Sequence, residues 1–322
     1  RLRATQLAAI AQESTDPLGL ARRMLPPLVY GAYPYGIPAS GTGDPAVVQK
    51  LTREDLVAFH ERWIRPDNLE ILAVGRTTLP ELIRELESRF GNWKPTAAPR
   101  GSKDFAAAIP ARAERIVLVD RPQSPQSMIL AGQVLDKVGS DELEALLAGN
   151  DVLGGNFLSR INMDLRETRG WSYGVRGGLT RPEQRVLYQL RAPVQTDRTG
   201  ESIAALKQHV KDFVGGKGVT AAELARTING SIRELPGSFE TSEAVLDQMA
   251  QDVLYKRPSN YAETLAEKYR AMDAAALDGA VRASIDPNGF TWVVVGDSKR
   301  VLPQLRKLKI PVTVIEATAN AH

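Results

Sequence analysis

The segment Gly154–Val175, GGNFLSRINMDLRETRGWSYGV, concentrates the side chains of this sequence that could do chemistry. Arg166 and Tyr173 lie seven residues apart, and Gly170 falls between them where a helix C-cap belongs. A guanidinium and a phenolic hydroxyl can both donate to peptide carbonyls or to a carboxylate. Arg160 is a further candidate for the same role. Phe157, Ile161 and Leu165 recur at helical spacing and predict a core face, with Arg160, Arg166 and Arg169 on or near the exposed one. An exposed arginine and a packed tyrosine are the ordinary alternative to a binding pair. From Arg160 to Arg198 there are eight arginines against four acidic residues. That excess reads either as a positive cleft wall that attracts peptide carboxylates or as solvated strand faces.

Other chemistries find no support in the residues. The three histidines, His60, His209 and His322, stand alone, so their spacing builds no zinc site. Cysteine is absent, which excludes disulfides, thiolate metal sites and cysteine nucleophiles. Such a chain suits the cytoplasm or a bacterial periplasm. Gly41-Thr42-Gly43 lacks the lysine and hydroxyl of a nucleotide loop and reads as a turn. The four tryptophans, Trp63, Trp93, Trp171 and Trp292, are scattered and read as core. With 43% hydrophobic and 25% charged residues the composition is that of a globular protein, and a net charge of +3 argues against nucleic acid as a partner. No apolar run is long enough to predict a membrane span.

The elements that must position these residues emerge from an internal repeat. LTREDLVAFHERWIRPDNLEILAVG, residues 51–75, aligns without a gap on MDAAALDGAVRASIDPNGFTWVVVG, residues 272–296. Pro66 meets Pro287 and Gly75 meets Gly296, a constant displacement of 221 residues. Each copy predicts a capped amphipathic helix, a Pro-containing turn, a short buried strand (Ile71–Val74 or Trp292–Val295), a glycine and another helix. The second unit opens near Glu114 with a strand over 115–120. Its counterpart in the first unit would lie before Arg1, so roughly a hundred residues of the first unit are expected to precede this sequence. The expected domains are 1–94, a Pro/Ala/Gly-rich linker over 95–113, and 114–322. In the second unit, strands are expected at 126–133, near 171–179 and 185–193, and at 290–295. Helices are expected at 140–152, 157–169, 200–214, 220–234, 241–255, 259–270, 273–284 and 299–308. The fold class is α+β, with helices packed on a mostly antiparallel sheet.

Gly154, Gly155, Ser159, Arg160, Leu165, Arg166, Glu167, Gly170 and Tyr173 together resemble a segment in the second half of the pitrilysin/insulinase metallopeptidases, in particular the branch of mitochondrial processing peptidase. AYPYGIPASGTGDPAVVQKLTREDLVAFHERWIRPDN resembles another stretch of the same family. The likeness runs from about Leu2 to Leu308 and implies duplicated domains of the processing-peptidase type. It implies that Arg166 and Tyr173 help to hold a scissile, extended peptide. In the family's catalytic half, His-x-x-Glu-His and a third ligand Glu hold zinc, and that third ligand precedes an Asp-Pro turn. Here the turn is Asp16-Pro17, and Ala8 or Ala9 occupies the ligand slot. The resemblance therefore implies a zinc-less, non-catalytic subunit with no cofactor of its own, which pairs with a homologous zinc-bearing subunit. Two alternatives remain: an active zinc peptidase whose motif lies in a preceding segment, and a structural or assembly protein that keeps the fold, like the core subunits of the respiratory bc complex.

Overall fold

The structure is a computed structural model, and residues 1–316 are described. His322 lies outside them. In chain order the helices of the first part are α1 (Leu2–Thr15), α2 (Pro17–Tyr30), α3 (Pro45–Lys50), α4 (Arg53–Trp63) and α5 (Leu79–Phe90). Then come β1 (Arg115–Asp120), β2 (Gln126–Val134), α6 (Glu144–Asn150), α7 (Arg160–Asn162), β3 (Arg176–Thr180) and β4 (Leu187–Gln195). Five helices follow: α8 (Thr199–Val214), α9 (Ala221–Glu234), α10 (Ser242–Leu254), α11 (Tyr261–Arg270) and α12 (Ala274–Ser284). The chain continues through β5 (Thr291–Gly296), α13 (Ser298–Arg306) and β6 (Val312–Glu316).

The strands form one sheet in the order β3-β4-β2-β5-β1-β6. Pairing is antiparallel from β3 through β5, while β1 runs parallel to both of its neighbours, so the sheet is mostly antiparallel. The β5 sequence TWVVVG alternates little because both faces of that strand are covered, and all six of its residues are buried. One face packs Trp292 and Val294, with Tyr188, Leu190 and Ile129 beside them, against α6, α8, α12 and α13. The other face presents Leu130, Val293 and Val295 to α2. α2 comes close because Gly132 has no side chain: a Cβ there would stand 2.9 Å from Leu25 Cδ2. Asp16 caps α2 by accepting from the Gly19 amide, and Pro17 occupies the first turn, where a missing N–H costs nothing. Tyr30 then donates its hydroxyl to the Arg185 carbonyl at 2.7 Å, tying α2 to the loop before β4.

The repeat coincides with element boundaries. α4 and α12 begin at Arg53 and Ala274 and end at Trp63 and Ser284, both displaced by 221 residues, behind the caps Thr52 and Asp273. The strands of the two copies differ. Trp292–Val295 is the centre of the sheet, whereas Ile71–Val74, expected as a buried strand, forms none, and Ile71 is 44% exposed. A strand exists only by hydrogen bonding to a neighbour, and among the described residues none lies beside Ile71–Val74. Leu56, Phe59, Leu79 and Ile83 of α4 and α5 are exposed as well. Of the tryptophans expected in the core, only Trp292 is fully buried.

Candidate functional site

The segment that carries Arg166 and Tyr173 departs from a plain helix twice. α6 widens into a π-helical turn over Asp151–Gly155, and α7 does the same over Met163–Thr168. Such turns recur at functional sites because an added residue re-aims the side chains that follow. Arg169 N accordingly donates to Asp164 O at 2.9 Å, and Trp171 N to Leu165 O at 2.9 Å. Ile161 and Leu165 stay buried, as their spacing predicts. Phe157 does not: it is 50% exposed. The helix begins only at Arg160, after an extended Asn156, so helical spacing does not reach back to Phe157. Instead the Phe157 ring carries the Arg166 guanidinium at 4.5 Å from its centroid.

Tyr173 lies in the loop before β3, which starts at Arg176 and not near 171 as expected. That loop is pinned at several points. Gly170 turns the chain with φ +63°. Gln195 donates its backbone N–H to Trp171 O at 3.0 Å and its side-chain amide to Gly170 O at 3.1 Å. The Ser172 hydroxyl donates to Pro193 O at 2.5 Å. Asn162 donates to Phe157 O at 2.6 Å and accepts from Val175 N at 2.9 Å, joining the two ends of the segment. Spacing gave no sign of that Asn162 link. The loop is held on both sides of Tyr173, at Ser172, Gly174 and Val175, while the Tyr173 side chain is 86% exposed and makes no hydrogen bond or ring contact among the described residues. A large aromatic side chain held out to solvent on a fixed loop is preorganised for a ligand, since little of the loop must be ordered on binding.

Arg166 and Tyr173 line one open cleft with Phe157, Asn156, Arg176 and Arg191. Arg166 pairs with the neighbouring Glu167 at 3.1 Å. The Asn156 side-chain oxygen is buried beside it with no hydrogen-bond partner among the described residues. The cleft thus offers two kinds of donor suited to peptide carbonyls.

Arg160, the third candidate, is not brought into this cleft. Its guanidinium is held by Glu223 at 2.7 and 2.6 Å and by the carbonyls of Lys217 and Gly218, and it lies against the Phe213 ring. The partner is 63 residues away in sequence, beyond the reach of local spacing. The hydrogen bonds from Arg160 outweigh burial and lower the Glu223 carboxyl to about 2 from an ordinary 4.5. A depressed carboxyl stabilises the fold above its unfolded value, and the contribution is lost as pH falls through the folded value. Glu223→Gln is therefore expected to lower the melting temperature most above pH 4.5, with the difference fading by about pH 2. Thermal melts of both proteins across that range check this, and a difference independent of pH would contradict it.

The other arginines of the basic stretch divide in the same way. Arg169 pairs with Asp164, Arg198 with Glu201 and Arg185 with Asp136, while Arg181 lies over the Tyr255 ring. His209, expected as a solvated helix position, is instead bonded to Asp164 at 2.9 Å.

The residues do not fit a zinc site. Ala8 and Ala9 are exposed methyl groups on α1 without a donor atom. The nearest carboxylate, Glu13, is engaged by Arg23 at 3.0 Å and Thr42 at 2.7 Å. Among the described residues no three of His, Cys, Asp and Glu cluster as a metal would need. No helix among them is long and apolar enough to cross a membrane.

Residues 50–231 match the family described as "Peptidase M16 inactive domain". An uncharacterized zinc protease of Mycobacterium leprae (strain TN) is 26% identical over 231 residues, covering 70% of this chain and 50% of that protein. An uncharacterized zinc protease of Mycobacterium bovis is 26% identical over 308 residues, 92% of this chain and 67% of its own length. This chain thus spans about half to two thirds of those relatives. The crystal structure of a peptidase M16 inactive domain from Pseudomonas fluorescens superposes with a TM-score of 0.78 at 23% identity, over 92% of this chain and 70% of that one.

Proposed function

The chain belongs to the peptidase M16 family, and from that premise we propose that it is the non-catalytic, peptide-holding subunit of a two-subunit peptidase. A homologous zinc-bearing subunit supplies the metal chemistry of peptide hydrolysis. This chain supplies Arg166 and Tyr173, whose donors hold carbonyls of an extended peptide and fix its register. In this reading residues 1–94 belong to a first family domain, 95–113 link it to the second, and 114–322 form the second.

One observation carries the reading: Tyr173 stands exposed on a loop pinned on both sides of it, in one cleft with Arg166. The metal-free part of the proposal rests on Ala8 and Ala9 in the ligand slot and on the engagement of Glu13. The test is to purify this chain and a zinc-bearing homologue separately and then together. We expect no stoichiometric zinc on this chain by metal analysis, and hydrolysis of a peptide only by the mixture. About one tightly held zinc per chain would favour an active peptidase instead. Stable association without hydrolysis would favour the structural role.

A further inference from the structure

We propose that the cross-strand pair Arg176 and Arg191 forms a carboxylate-binding subsite, so that the peptide held beside it is selected for an acidic side chain or its own C-terminal carboxylate. The inference rests on the peptide-holding reading and adds the class of peptide.

Arg176 on β3 lies directly opposite Arg191 on β4. Directly opposed residues project to the same face of a sheet. The adjacent pair, Gly177 and Leu190, faces the helix layer and is buried, so the two arginines share the opposite face, and both are exposed. The core on the α2 side takes in Leu130, the residue directly opposite Arg191, but neither arginine, and both stay open. Like charges directly opposed across strands destabilise a sheet, so this pair is not explained by stability.

Neutralisation is incomplete. Among the described residues Arg191 makes no hydrogen bond or ion pair. Arg176 donates only to the Gly155 carbonyl at 3.3 Å. One acidic group acts on it, Asp151, which itself feels Glu234. Burial, and next the charge of Glu234, raise the Asp151 carboxyl to about 6 against the pull of Arg176; it keeps charge near neutral pH but makes no ion pair or hydrogen bond with Arg176. Glu167 is turned to Arg166. The cleft lining therefore holds three guanidinium groups, Arg166, Arg176 and Arg191, and no carboxylate.

Guanidinium groups recognise planar carboxylates through paired N–H donors. The remaining walls, Phe157, Val175 and Pro193, are apolar and lower the local dielectric, which strengthens the attraction. Continuity with Arg166 and Tyr173 favours a peptide over a free anion, because the same cleft then meets backbone and side chain together.

The test measures binding of fluorescein-labelled ten-residue peptides to the purified chain by anisotropy. The peptides differ only in one central Glu or Gln, and each is made with a free and with an amidated C-terminus. We expect the carboxylate-bearing peptides to bind about tenfold more tightly than the neutral one. That preference should disappear in Arg176→Gln/Arg191→Gln, while the melting temperature stays equal or rises. Preference for central Glu or for the free terminus identifies which carboxylate is read. Equal binding of charged and neutral peptides, still weakened by Arg166→Ala, would overturn the subsite and leave the peptide-holding reading standing. A preference that survives in the double variant would also overturn it. Failure to bind any peptide would sink both.

Discussion

Arg166→Ala is expected to lower kcat/KM of the reconstituted pair by about tenfold to a hundredfold without lowering the melting temperature of this chain. A hydrogen bond from a charged donor contributes about 1.5–3 kcal/mol, and when it is made to the reacting peptide its loss appears in kcat/KM. Stability should be indifferent because Arg166 bonds only to its neighbour Glu167 and rests on an exposed ring. Exposed ion pairs of that kind contribute about 0–1 kcal/mol. Tyr173→Phe isolates the hydroxyl: the ring remains, and an 86% exposed side chain has no packing to lose. The smaller effect of a neutral donor is expected there. Steady-state hydrolysis alongside thermal melting decides the matter. Unchanged hydrolysis would remove the pair from the mechanism, and a collapsed melt would make Arg166 a structural residue.

The largest effect on stability is expected from Trp292→Ala. Trp292 is fully buried in β5, the strand between β2 and β1, and the Phe290 ring lies 5.4 Å away, tilted by 41°. Truncating a buried aromatic removes its transfer energy and leaves a cavity, together about 3–5 kcal/mol. Against a typical domain stability of about 5–15 kcal/mol, that is a large share. Trp292→Phe should cost less, because most of the volume stays. Urea denaturation of the three proteins measures it. A loss under about 1 kcal/mol for the alanine variant would mean that the core closes over the gap.

Much of the second unit was legible in the sequence because its signals are local. The Asp273 cap and the Pro287 turn bracket α12, and uninterrupted apolar runs mark β1 and β5. The failures are non-local. α2 was not foreseen; it holds Pro26 and Pro27 within it and is kept in place by contact with a sheet whose strands come much later in the chain. β6 was missed because a five-residue edge strand exists only through its pairing with β1. In the site, Arg166 and Tyr173 were found from the family-like motif, and the structure places both in one cleft. Arg160 was a further candidate beside Arg166 in sequence, and a carboxylate on α9 with two carbonyls before it holds Arg160 outside the cleft. Arg176 and Arg191 sat unresolved among eight arginines, because strand register alone puts them face to face.

The position of β5 also sets when this protein can become itself. Arg115 and Thr291 are neighbours in the sheet, yet 176 residues separate them along the chain. At about 5–20 residues per second, a ribosome needs on the order of ten to thirty seconds to pass from one to the other. β2, β4 and β3 pair with each other and can assemble in that interval. β1 cannot join the sheet, since its neighbours on both sides, β5 and β6, are made last. α2, made earlier still, can meet Leu130 and Val134 of β2, but the rest of its apolar face must wait for Val293 and Val295. A nascent chain therefore carries its stickiest surfaces uncovered through most of its synthesis, the interval in which a chaperone would have most to do. By the same logic, a premature stop just before Thr291 should be as damaging as one far upstream, although 290 of the 322 residues would already have been made.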